Sequence, residues 1–186
     1  DRASWSMISE ENAKEDFLNS NGGSINNEWI WILDPLDGTK DFLKGTGEYA
    51  VHLALINHNE PVLGVVLIPE LDELWFGIIG IGAWCEDRNG RQKSVSFSNR
   101  RDLNDLVLVA SRNHRDQRLE RLLEKLSLGG SKSVGSVGCK VATILRVEAD
   151  FYISLSGKSA PKDWDMAAPH ALIEAAGGIL THALSL

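Results

Sequence analysis

The sequence predicts a mixed α/β chain, with a β-rich first half and a second half in which strand and helix alternate. Three observations carry this. Short aromatic and β-branched runs bounded by turn residues crowd residues 29 to 97, which is how strands read. After residue 105, leucines recur at the spacing of one helical face, between further short apolar runs. The 186 residues suffice for one ordinary domain or for two small lobes sharing an interface.

In chain order, residues 1–28 read as polar, with Ser9-Glu10-Glu11 near the start and a loop from Asn19 to Asn27. Trp29 to Leu33 is a short buried strand that stops at the turn signal Asp34-Pro35. Tyr49–Asn57 and Val62–Ile68 are two more strands, with a hairpin turn around His58 to Pro61. Leu74–Ile79 and Ala83–Glu86 continue a mostly antiparallel region around the corner Gly80-Ile81-Gly82, and Val95–Phe97 is a weaker strand. The character changes between Arg100 and Asp105. Leu106–Ala110 reads as a clean buried strand, and Leu119, Leu122, Leu123 and Leu126 line one face of a helix. Residues 127–138 read as a loop, Lys140–Glu148 as a helix and Phe151–Leu155 as a strand. Trp164–Ala176 is a last helix, ended by Gly177-Gly178, and Ile179–Thr181 looks like the start of another strand.

Composition excludes several classes. The formal net charge of -7 does not suit a nucleic-acid polymer. No apolar run approaches the ~20 residues that span a bilayer, and no stretch of these residues reads as a basic, apolar and small-residue secretory leader. Cys85 and Cys139 are the only cysteines, which points to a reduced, cytoplasmic setting. The chain starts at Asp1, which reads as a processed, excised or incomplete product.

The stretch WIWILDPLDGTKDF, Trp29 to Phe42, carries the chemistry. Asp34 follows five apolar residues, where an unpaired charge is costly. A turn between Asp34 and Asp37 brings two carboxylates and the Leu36 carbonyl to one spot, a hard-oxygen set of the kind magnesium takes. Gly38 lets the backbone approach a ligand, and the Thr39 hydroxyl can orient a water. The same residues also read as an ordinary capped turn, Glu10-Glu11 as a solvated acidic pair, and Asp165 as a helix N-cap. In the second half, Ala110 to His114 follow a strand, and Val134 to Lys140 lead into a helix whose amides could face an anion. Arg112, His114 and Lys140 read equally well as solvated turn and helix residues. Gly129 to Ser133 resembles a P-loop only superficially, because Ser131 stands where a glycine is required.

The motif Asp34 to Thr39 resembles the DPxDGT signature of the lithium-sensitive, magnesium-dependent phosphomonoesterases. That superfamily includes inositol monophosphatase, fructose-1,6-bisphosphatase and 3'(2'),5'-bisphosphate nucleotidase. Two further blocks of the family, SEE upstream and WDMAAPHALIEAAGG near the end, follow in the same order. The resemblance implies a layered αβαβα sandwich, and Glu10, Asp34, the Leu36 carbonyl, Asp37 and Asp165 as ligands of two or more Mg2+ ions, with inhibition by Li+. It implies that Asp34 bridges two ions, that Thr39 and Glu10 position the attacking water, and that Asp165 lies near the leaving oxygen. Gly38, Thr39 and Asp165 would also meet the substrate. Ser111, His114, Ser136 and Lys140 lie in blocks that resemble the nucleotidase branch and would contact a nucleotide or its second phosphate, and the Lys40-Asp41-Phe42 block also resembles that branch more than the inositol branch.

The function so implied is removal of the 3'-phosphate of 3'-phosphoadenosine 5'-phosphate, and of 3'-phosphoadenylyl sulfate, by metal-activated water. The alternatives are an inositol or sugar phosphate monophosphatase and an inactive metal-binding or assembly subunit. The expected partner is a small phosphate ester, not a nucleic-acid polymer or a membrane, and an oligomer is left open. The family carries upstream helices with one further metal-site aspartate, and more sheet after the last helix. The chain therefore reads as truncated at both ends, with a β-rich metal-binding lobe over 1–102 and an α/β lobe over 103–186.

Overall fold

Ala50, His52, Ala54 and Ile56 are buried, and the residues between them are partly exposed. This period-2 burial is that of a central strand with one covered face. In the computed structural model, which describes residues 5–13, 28–113, 117–155 and 160–181, this strand is β3 (Ala50–Asn57). It lies within a seven-stranded sheet in sequential order: β1 (Trp5–Ser9), β2 (Trp29–Asp37), β3, β4 (Glu60–Ile68), β5 (Glu73–Ile78), β6 (Gly82–Glu86) and β7 (Gln92–Ser94). β1 pairs parallel to β2, and every later pair is antiparallel. A second sheet is parallel and three-stranded, in the order β10 (Phe151–Tyr152), β8 (Val107–Ser111), β9 (Gly130–Val134).

The described residues also hold the α-helices α1 (Thr39–Leu43), α2 (Gln117–Lys125), α3 (Val137–Leu145) and α4 (Asp163–Ala175), with short 3-10 turns at Pro69–Leu71 and Leu103–Asp105. α4 lies on β3, β4 and β5, and α3 touches both β3 and β4 and the second sheet at β8 and β10. The two helices are thus the filling between two sheets, and Leu119 of α2 packs on Leu108 and Ala110 on the far side of the second sheet. The close approach of α4 has a visible cause. A Cβ at Gly64 would overlap the Ala168 carbonyl, and one at Gly77 would lie 2.8 Å from the Ala175 Cβ. Leu172 is fully buried at this interface, and its truncation to alanine costs about 2–5 kcal/mol by the usual transfer and cavity effects. The layered α/β architecture agrees with the sequence expectation.

Local departures from that expectation have physical reasons. β1 falls in a region read as polar; Trp5 stacks on Trp29 and Trp31 at 5.9 and 6.0 Å, so this edge strand is held by ring contacts rather than by alternation. β2 does not stop at Leu33 but runs on to Asp37, past Pro35. The segment read as a loop over 127–138 contains β9, a strand whose residues Ser131, Lys132 and Ser133 are exposed and give no apolar signal. α3 begins at Val137 rather than Lys140, because the Ser136 hydroxyl accepts the Cys139 N–H at 2.9 Å and caps the helix. It ends at Leu145 rather than Glu148, and Val147 takes a left-handed φ of 65°. β10 is only two residues long, the expected strand at Val95–Phe97 lies instead at Gln92–Ser94, and Ile179–Thr181 forms no strand. Pro169 is the seventh residue of α4 and removes the bond that would reach the Asp165 carbonyl.

Candidate active site

Residues three apart on a regular strand face opposite sides of the sheet. Asp34 and Asp37 do not. Asp34 pairs with His52 and Asp37 with Ala50, so three steps along β2 match two along β3. The extra residue is a β-bulge, and it turns both carboxylates to one side. A carboxylate oxygen from each of Asp34, Asp37 and Asp165 lies within 4.8 Å of the others. Asp165 reaches them from the first turn of α4, where its Oδ2 accepts the Lys162 N–H at 2.6 Å. Glu10 follows β1, with its backbone N–H on the Leu33 carbonyl at 3.1 Å, which brings its side chain to the rim of the same cluster.

The carboxylates differ in their surroundings. Asp34 Oδ1 accepts the Leu36 N–H at 2.9 Å, whereas its buried Oδ2 has no hydrogen-bond partner. The neighbouring Glu10 and Asp165 are themselves carboxyls and could bond to Asp34 only by sharing a proton. Burial first, then the charges of Asp37 and Glu10, push the Asp34 pKa up to about 7 against the pull of His52 and the Leu36 amide. Glu10 and Asp165 are also shifted upward, in each case chiefly by burial.

Asp37 goes the other way. Burial would raise it, but His52 and the Gly138 amide at 3.0 Å prevail, and the carboxyl stays below its ordinary range. His52 is fully buried beneath it, with Nε2 3.2 Å from Asp37 Oδ2 and off the line of a well-aligned hydrogen bond. Burial favours neutral imidazole, but the Asp37 carboxylate, with Asp34 behind it, raises the His52 pKa above the ordinary value. The amide at the start of α3 is thus spent on Asp37, not held out to an anion as the sequence had suggested. The helix N-terminus reinforces the ionised state of this aspartate.

This arrangement fits a divalent cation. A buried carboxylate oxygen without a donor, three converging carboxylates and mutual repulsion among them make a hard-oxygen donor set short of positive charge. The Leu36 carbonyl lies between the two aspartates in the chain and accepts the Thr39 hydroxyl at 3.2 Å.

Beside the cluster is a cleft of about 220 Å³. Asp37, Gly38, Thr39, Ser111, Lys140 and Asp165, all named from the sequence, line it. Gly38 has φ 90°, and a Cβ there would lie 2.9 Å from both the Glu48 carbonyl oxygen and the Ser136 Cβ, so the turn requires glycine. Ser136 sits behind this turn as the cap of α3 and does not line the cleft. His114 lies outside the described residues. Lys140 is not a solvated helix residue. It is 2% exposed, its Nζ donates to the carbonyls of Gly135 at 2.7 Å and Ser136 at 2.9 Å, and it lies 5.2 Å from the centroid of the Tyr152 ring. Burial lowers its pKa to about 8 against the pull of Asp37 and Asp41.

Sequence reasoning missed His52, Glu48 and the structural part played by Asp41 and Arg112. His52 had a visible signal, since it is the polar member of the buried series Ala50, His52, Ala54, Ile56.

The inositol monophosphatase family model matches residues 3–184. The chain belongs to this family. Among its relatives, the 3'(2'),5'-bisphosphate nucleotidase CysQ of Escherichia coli (strain K12) is 35% identical over 158 residues, which is 84% of this chain and 61% of that protein. The crystal structure of CysQ from Bacteroides thetaiotaomicron, described as a bacterial member of the inositol monophosphatase family, superposes with a TM-score of 0.75 at 30% identity, covering 95% of this chain and 68% of that one. The Thermotoga maritima IMPase TM1415 shares the fold, with a TM-score of 0.76 at 24% identity, over 96% of this chain and 63% of that one. The chain spans about three-fifths of the length of the Escherichia coli relative. The family resemblance read from the three sequence blocks is borne out, as is its lean toward the bisphosphate nucleotidase branch.

Proposed function

We propose that this chain carries the metal and substrate site of a magnesium-dependent phosphomonoesterase that removes the 3'-phosphate of 3'-phosphoadenosine 5'-phosphate, and of its sulfated analogue 3'-phosphoadenylyl sulfate. One observation carries the proposal: the converging carboxylates of Asp34, Asp37 and Asp165 border a cleft that the buried Lys140 also lines, with its ammonium held on the Gly135 and Ser136 carbonyls. An acidic cluster alone repels a phosphate ester, and a lysine alone does not activate water. With divalent cations held by the carboxylates, the site would bind an anion at two points. The relatives named bisphosphate nucleotidase support the same substrate class.

In this reading Glu10, Asp34, Asp37, Asp165 and the Leu36 carbonyl hold two or more Mg2+ ions, with Li+ as an inhibitor. Bound magnesium lowers the pKa of a water and offsets charge on the phosphoryl oxygens. The rest falls to the chain. The Thr39 hydroxyl donates a hydrogen bond to the Leu36 carbonyl, so its oxygen can accept from the attacking water, which Thr39 and Glu10 position together. His52 keeps Asp37 ionised from below. Lys140 and Ser111 bind the second phosphate, and His114 does so from outside the described residues. Ser136 acts by fixing the helix that carries Lys140. The seven-stranded sheet ends at Ser94 and the second sheet starts at Val107, which supports a lobe boundary near 102/103, with α4 returning to the first lobe.

The test is magnesium-dependent phosphate release from 3'-phosphoadenosine 5'-phosphate, inositol 1-phosphate and fructose 1,6-bisphosphate, with and without lithium. Selective, lithium-sensitive release from the nucleotide is the expected result. Equal or greater release from the inositol or sugar ester would replace the substrate assignment.

A further inference from the structure

Lys140 is a buried cation whose usefulness depends on where its ammonium points. A continuous run of polar contacts fixes that direction, and it starts in α1, between β2 and β3 of the first sheet. Asp41 of α1 is 1% exposed. Its Oδ1 faces Arg112 Nη1 at 3.3 Å, and its Oδ2 accepts the Asn113 side-chain amide at 2.6 Å. The other arm of the Arg112 guanidinium donates to Glu48 Oε1 at 2.6 Å and to the Ser133 carbonyl at 3.0 Å. Glu48 Oε2 accepts the Gly135 N–H at 2.6 Å, and the Gly135 carbonyl accepts Lys140 Nζ. The route from α1 to the ammonium is therefore Asp41, Arg112, Glu48, Gly135, Lys140.

Three features set this apart from a plain staple between sheets. Arg112 directly follows Ser111 at the end of β8, so one side chain anchors the start of one cleft wall and, through Ser133 and Glu48, the loop that leads to the other. Gly135 passes so close to Asp41 that any Cβ there would overlap its carboxyl. The charge of Arg112 is spent on two carboxylates, which leaves Lys140 to meet an anion. A planar fork that serves two carboxylates and a carbonyl is a task an ammonium does not reproduce.

We infer that Asp41, Glu48 and Arg112 form a positioning clamp that places Lys140 and Ser111 for the second anionic group of the substrate, and so set the preference for a bisphosphate over a monophosphate. This rests on the proposed nucleotidase reading. The clamp touches none of the metal-binding carboxylates, so it acts on binding rather than on the phosphoryl-transfer step.

The test uses the full chain and its Arg112→Lys and Glu48→Gln variants. In each variant KM for 3'-phosphoadenosine 5'-phosphate rises about tenfold or more, while kcat, and KM for adenosine 3'-monophosphate, stay within about twofold. In calorimetry, adenosine 5'-monophosphate, which keeps only the distal phosphate, binds about tenfold more weakly, while inorganic phosphate is unaffected. Equal losses on both substrates, or no loss on either, overturn the clamp. A wild-type chain that shows no preference for the bisphosphate overturns the nucleotidase reading instead. The clamp is then judged by acetic anhydride labelling of Lys140, read by mass spectrometry. Protection in the wild type and labelling in Arg112→Lys support it, and equal protection in both contradicts it.

Discussion

Asp34 and Asp41 lie seven residues apart, and each is 1% exposed, yet they meet opposite conditions. Asp41 is ringed by donors: Arg112, Asn113 and the Thr46 hydroxyl all reach its carboxyl. Asp34 has one backbone amide, a second oxygen with no hydrogen-bond partner, and other carboxyls around it. Burial alone therefore does not mark a functional aspartate. The difference lies in what the fold supplies as a counter-charge. For Asp41 it is a guanidinium from the other sheet. For Asp34 the described side chains do not complete it, and a divalent cation can.

Substitution of each aspartate by asparagine should separate the two cases most strongly. Asp34→Asn abolishes turnover, a loss on the order of 10³-fold or more for an enzyme that depends on a positioned metal. The same change removes a repelled charge, so it raises the melting temperature of the metal-free protein at pH 8. Asp41→Asn lowers the melting temperature by breaking a paired buried carboxylate, at a cost of about 1–3 kcal/mol. Scanning calorimetry in a chelator, alongside phosphate release, reads both. Melting shifts of the same sign would erase the distinction.

Second in size is the pH dependence of the metal-free chain. Asp34, Glu10 and Asp165 have pKa values raised by folding, Asp34 to about 7, so the native state binds more protons than the unfolded one as pH rises from about 4 to 7. Stability falls across that window. His52 adds to the trend, because its raised pKa contributes stability below its ordinary value that is lost as pH rises through the folded one. Asp37 acts oppositely, and its contribution is lost only as pH falls through a folded pKa below the ordinary one. The melting temperature in chelator should therefore be highest in mild acid and decline toward pH 8, and excess Mg2+ should flatten that decline. A profile identical with and without Mg2+ would count against a cation at the cluster.

Lys140→Ala should weaken binding of a bisphosphate about tenfold or more beyond its effect on a monophosphate, read as the ratio of the two KM values. A uniform loss would make Lys140 a packing residue. The smallest effect expected is at Gly45, where φ is 65° and nothing lies within 4 Å of an added Cβ. Gly45→Ala should cost about 1 kcal/mol through backbone strain and leave kinetics unchanged.

The legible part of the site was the part built from local sequence. The turn at Asp34 to Thr39 interrupts an apolar run, and Asp165 opens a helix, so both announce themselves. The β-bulge that brings Asp34 and Asp37 to one side is a matter of register between β2 and β3, which no local pattern encodes. The clamp was hidden for a related reason. Asp41 and Arg112 are 71 positions apart, and each looks like a solvated charge until the two sheets meet. β9 was missed because an edge strand of serine and lysine pairs through its backbone alone. The larger fold was readable because β3 alternates and the leucines of α2 recur on one face.

The most direct measurement is titration calorimetry of Mg2+ into the chelator-treated chain and its Asp34→Asn variant. Saturable binding to the wild type that is lost or weakened at least about tenfold in the variant is the result expected for a cation site built on the unpartnered Asp34 carboxylate. Equal affinity in the two proteins would contradict it.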